Sequence, residues 1–162
     1  MTWISNWWYG RNDDPTPSNA NPANVTAASQ LFHEKAQIQL DMLARFVKES
    51  SNVVSPAVYS RLRSIDDVVR PLIKFLATHD IVAEQEIAIE YLLTRYIPEP
   101  LNTFVLLQQK DREENGKADT LLLQQYDTLE KSTRELADGI YKRTMSDLNT
   151  YAIFIEEKFG KQ

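Results

Sequence analysis

Along most of the chain the apolar residues recur at intervals of three and four. Val58, Leu62, Ile65, Val69, Leu72 and Leu76 are spaced four, three, four, three and four residues apart, and Leu122, Tyr126, Leu129, Thr133, Leu136 and Ile140 repeat the rhythm. With 3.6 residues per turn, this spacing sets the side chains on one face of an α-helix as a heptad-like seam. Ser55 and Pro56 mark the start of the first seam. The serine oxygen can cap free backbone N–H groups, and proline lacks the N–H that a first turn leaves unpaired. Pro71 falls inside this helix and predicts a kink or a local loss of bonding.

Three further helices follow from weaker signals. One is expected from about Val25 to Glu49, capped by Asn24 or Thr26, with Phe32, Ala36, Leu43 and Val47 as its stripe and Ile38 and Met42 beside it. Another begins near Asp80. Ile87, Tyr91, Leu92 and Arg95-Tyr96 keep a helical period until Pro98 and Pro100 interrupt it, and Leu101, Phe104, Val105 and Leu107 resume it. A kinked helix or two short helices is the expectation there. The last runs from about Ala118 to Lys158, after a charged loop with an Asn115-Gly116 turn signal. Leu148, Tyr151, Ile155 and Phe159 extend its face. At 1.5 Å per residue it reaches roughly 60 Å. That is too long for one compact bundle face unless the halves flanking Pro98 and Pro100 pack end to end along it. No strand-like alternation persists. The expected fold is all-α: an antiparallel bundle of four to five helices over residues 25–162, with a long C-terminal helix and a Pro-kinked middle helix.

Residues 1–24 stand apart from this bundle. Gly10 to Asn24 holds three prolines and many turn formers and reads as a linker. Before it, Trp3, Ile4, Trp7 and Trp8 would share one very apolar face if helical. Three destinations are open to that segment: a groove on its own bundle, a protein partner, or a membrane interface, where tryptophan is favoured.

Composition excludes several function classes. The chain of 162 residues suits one domain. Its formal net charge is −5 and it has no basic block, so the lysine and arginine footprint of nucleic-acid binding is missing. It has no cysteine, which excludes disulfide scaffolds, thiolate metal sites and cysteine nucleophiles. Its four glycines are scattered, so no loop can cradle phosphates. No apolar run is long enough to span a bilayer, and no secretory signal is recognisable. A cytoplasmic protein, membrane-associated only through Trp3–Trp8, is the expectation.

The chemical motifs are near misses. His33-Glu34 opens like a zinc-protease helix, but Gln37 stands where a second histidine is needed. Glu86 and Glu90 share a helix face, which reads more simply as solvated. Residues 111–122 imitate a calcium loop with oxygens at Asp111, Glu113, Asn115 and Asp119 and a glycine at Gly116, yet Leu122 replaces the closing bidentate glutamate. No catalytic residue, metal or cofactor is expected from these patterns.

From about Val58 to Phe159 the chain resembles a poorly characterised helical family labelled 5-bromo-4-chloroindolyl phosphate hydrolysis protein. The resemblance rests on Leu62-Arg63-Ser64-Ile65 through Val69, Tyr96-Ile97-Pro98 with Leu101, Gln124-Gln125-Tyr126 with Leu129, and Leu148 with Phe154-Ile155-Glu156-Glu157-Lys158-Phe159. It implies a helical fold and, by its label, hydrolysis of phosphate esters. The residues themselves point first to a non-enzymatic helical module that binds a protein partner, with Trp3, Ile4, Trp7, Trp8, Tyr96 and Pro98 as candidate contacts. Hydrolase activity and self-assembly through the heptad-like seams are the alternatives.

Overall fold

The computed structural model describes residues 27–160, and these form helices joined by short connections. In chain order they are α1 (Ala27–Glu49), α2 (Pro56–Leu76), α3 (Ala83–Tyr91), a π turn (Leu92–Tyr96), α4 (Pro98–Val105), a 3-10 turn (Gln109–Asp111) and α5 (Lys117–Phe159). The expected start of the first helix at Val25, with its caps Asn24 and Thr26, lies outside the described residues.

α2 matches its sequence signal closely. Ser55 Oγ accepts from the backbone N–H of Val58 at 3.4 Å, Pro56 occupies the first turn, and all six residues of the seam are buried. Pro71 does not end the helix: it sits on the exposed side, so the hydrogen bond that it forgoes faces solvent. Replacing Ser55 by alanine is expected to lower the unfolding free energy by roughly 0.5–1 kcal/mol in a urea titration, with an unchanged slope.

α1 buries Ala36, Leu40, Leu43 and Val47, while Phe32 packs at the margin. Ile38 and Met42, expected beside the stripe, are instead 61% and 64% exposed. Leu40 completes the four-three-four spacing in their place, on the side of α1 that meets α2.

The middle helix shows why its frame was hard to place. Leu92 is buried as expected, but Ile87 and Tyr91 lie at the exposed edge, and Ala88, Ile89 and Leu93 are buried in their place. The inward series Ile89, Leu93, Ile97, Leu101 recurs every fourth residue. In a regular α-helix such a series drifts about 40° per step around the axis. The π turn, closed by the Ile97 N–H bonding to the Leu92 carbonyl at 3.1 Å, widens one turn and holds the series on the core side. Pro98 and Pro100 withhold the donors that would meet the Thr94 and Tyr96 carbonyls, which weakens the ladder just beyond it. Tyr126, fully buried on α5, donates its hydroxyl to the Ile97 carbonyl at 2.6 Å and so ties the kink to the long helix.

α1 and α2 run in opposite directions. Arg70 in the second half of α2 pairs with Asp41 of α1 at 3.0 Å, and Ser29 near the start of α1 reaches Asp80 beyond the end of α2. α2 and α5, by contrast, run the same way and make the most extensive contact of the fold. Arg61 pairs with Asp127 and Glu130, and further along both helices Phe75 meets Tyr141 edge-on at 5.1 Å. In the connection before α5, Asn115 takes a left-handed conformation with φ 62°. Its N–H donates to Asp119 Oδ2 at 3.0 Å, so this acid of the calcium-like pattern serves as a buried helix-start acceptor.

Candidate interaction surface

α5 is 43 residues long, about 65 Å at the usual rise, and its two halves have different surroundings. Leu122, Tyr126, Leu129, Thr133, Leu136 and Ile140 face α2 and α4 and are buried. Beyond Thr144 every described residue of the helix is exposed. The α3 and α4 segments do not lie end to end along α5: α4 packs on its first half, whereas α3 turns toward α1, with Lys35 and Glu90 3.5 Å apart. Leu148, Tyr151, Ile155 and Phe159 therefore extend the helix without extending its buried face.

The exposed half has an apolar face of its own. Tyr141, Met145, Leu148, Ala152, Ile155 and Phe159 follow at intervals of four, three, four, three and four, all of them exposed. This second series starts one residue after the first ends. At about 100° per residue it is rotated roughly a quarter turn from the Leu122–Ile140 face. Phe159 is 73% exposed and Leu148 61%. Isolated surface leucines are ordinary, but a continuous stripe of large apolar groups marks a site of association. No proline interrupts residues 140–159. The Thr144 and Thr150 hydroxyls fold back onto the carbonyls of Ile140 and Ser146. Partial burial against the bundle edge raises the pKa of Tyr141.

A second concave feature lies along the first half of α5. An open groove of about 750 Å³ between α4 and α5 is lined by Tyr96, Phe104, Leu107, Leu121, Gln125 and Leu129, among others. Tyr96 thus lines a groove. Burial, followed by the nearby Tyr91, raises its pKa, while Arg95 lies over the Tyr91 ring at 4.9 Å. Pro98 is half-buried at the start of α4. Trp3, Ile4, Trp7 and Trp8 lie outside the described residues.

Among the described residues no three histidines, acids or cysteines are grouped to hold a metal ion. His79 stacks on Phe75 with ring centroids 3.8 Å apart, and Phe75 in turn meets Tyr141, so this ring serves packing at the end of the bundle. Glu86 has its pKa raised, first by burial and then by Asp80. No helix of the described residues is long and apolar enough to cross a membrane.

Taken together, fold and surface define an all-α bundle carrying one helix that outruns its packing partners. No family model, curated protein or solved structure matches the chain. The stripe on α5 was partly legible in the sequence through Leu148, Ile155 and Phe159. Its separation from the buried seam was not, although the spacing rule restarting at Tyr141 carried that signal.

Proposed function

We propose that the protein is a non-enzymatic helical module that binds another polypeptide through the apolar face of α5 between Tyr141 and Phe159. One observation carries this reading: an intact helix continues for about five turns past its bundle with a heptad-spaced apolar face that nothing in the described chain covers. Helix-on-helix docking suits such a face, because anchors at intervals of three and four fill a groove or seam. The charges flanking it do not favour a lipid surface. Residues 141–159 hold Lys142, Arg143 and Lys158 against Asp147, Glu156 and Glu157, three of each sign, so they lack the basic excess that draws helices to anionic membranes. The groove beside Tyr96 is a subsidiary contact in this reading.

A photoreactive residue placed at position 148, and separately at 157 on the far side of the helix, tests it in the native cell. Protein adducts formed from position 148 and not from 157 are expected. Equal yields from both positions, or none from either, would contradict an interface on this face.

A further inference from the structure

We infer that the polypeptide fitting this face is a second copy of the same chain, paired antiparallel through residues 141–159 about a twofold axis near Thr150. The inference rests on the reading of α5 as a docking helix and goes further by naming the occupant. Three features of the stripe select it.

The first is layer matching. In an antiparallel two-helix seam, the two kinds of heptad position face one another across the axis. Tyr141, Leu148 and Ile155 form one series, and Met145, Ala152 and Phe159 the other. A single alignment opposes Met145 to Ile155 of the second copy, Ala152 to Leu148, and Phe159 to Tyr141, and the twofold axis repeats each layer. The small Ala152 meets a leucine, and no layer holds a charged group.

The second is charge complementarity. Lys142 and Glu156 flank the stripe on the same side, and neither makes an ion pair among the described residues. The alignment that matches the layers sets Lys142 of each copy opposite Glu156 of the other. A parallel pair would face Tyr151 against Glu156 and Thr144 against Asn149, with no opposite charges.

The third is how the ends close. The seam begins where the bundle stops, at Tyr141 against Phe75. Antiparallel pairing brings Phe159 of each copy to that aromatic corner, so each exposed helix tip is covered by the other copy's bundle edge. The interface is isologous and closed, which yields a dimer and not a filament.

The absence of native cysteines allows a clean test in the full chain. Protein bearing Met145→Cys is mixed with differently tagged protein bearing Ile155→Cys under mild oxidation. The expected result is a mixed disulfide dimer, with sedimentation of the wild type at twice the 18.7 kDa chain mass. Two Met145→Cys chains should not cross-link to each other, because antiparallel pairing holds those positions about 15 Å apart, beyond disulfide reach. Lys142→Glu should weaken the dimer roughly tenfold, and adding Glu156→Lys in the same chain should restore it. Three results would overturn the inference: a monomeric mass at every concentration, a Met145→Cys homodimer (which means parallel pairing), or adducts from position 148 to residues 1–26 of the same chain. A monomer whose position 148 still captures a different protein removes only the self-pairing. A monomer with no adducts at all removes the docking reading as well.

Discussion

Replacing Leu148 and Ile155 together by aspartate should abolish association while leaving the bundle as stable as before. The two effects separate because the helix has two halves. Both residues are more than half exposed in the single chain. Neither belongs to the buried core, so their substitution costs mainly the lower helix propensity of aspartate, about 0.5 kcal/mol per site. In a helix pair each side chain would be buried and worth about 2 kcal/mol. Both copies carry the substitutions, so four such side chains are lost, about 8 kcal/mol or roughly a millionfold in affinity, before the cost of burying carboxylates is added. The melting temperature of dilute protein and the affinity from sedimentation, measured on the same variant, check both halves of this expectation. A fall of many degrees in the melting temperature would mean that the second half of α5 is packed within its own chain.

The opposite pattern is expected at Tyr126. Its ring is fully buried, and its hydroxyl bonds the Ile97 carbonyl at the kink where Pro98 and Pro100 have removed backbone donors. Tyr126→Phe keeps the ring and removes this hydrogen bond from a dry site, which should cost about 0.5–1.5 kcal/mol. Tyr126→Ala adds a cavity between α4 and α5 and should cost about 3–5 kcal/mol, a large share of the stability of a domain this size. Burial raises the pKa of this hydroxyl well above the ordinary tyrosine range, against a smaller opposing effect of the Leu101 backbone. The unfolded chain can therefore release a proton at alkaline pH that the folded chain retains. Folded stability should fall as pH climbs past about 10, and Tyr126→Phe should flatten that fall. Denaturant titrations from neutral to alkaline pH measure both quantities. A Tyr126→Phe variant as stable as the wild type would show that the hydroxyl reaches solvent.

The sequence was most legible where a single rule governed a stretch of chain. α2 had a cap, a proline in its first turn and an unbroken seam, and every one of those residues takes its expected place. The buried seam of α5 was equally clear, because its six residues keep one unbroken four-three spacing and all turn into the core. α1 was harder: its apolar residues occupy more than one face, and spacing alone does not say which face meets α2, so Ile38 and Met42 were set beside the core that Leu40 enters. In α3 the obstacle was the π turn. An expectation built on 3.6 residues per turn selects Ile87 and Tyr91, whereas the widened turn brings in Ile89 and Leu93. The docking face had a different difficulty. Periodicity reveals that a stripe exists, but not whether the chain itself covers it, which depends on where α2 ends relative to α5. The other candidate contacts divide in the same way. Tyr96 lies in a groove formed by two elements distant in sequence, and the tryptophans belong to residues 1–26, outside the described part of the chain.

Amide hydrogen exchange along α5, followed from dilute to concentrated protein, probes the docking face most directly. In the dilute chain, amides between Leu122 and Ile140 should be strongly protected and those between Met145 and Lys158 should exchange quickly, since only the first stretch is packed. On concentration, protection should spread into the second stretch. Protection of the second stretch at the lowest concentration would show that the chain covers it alone, and rapid exchange there at every concentration would show that no second copy does.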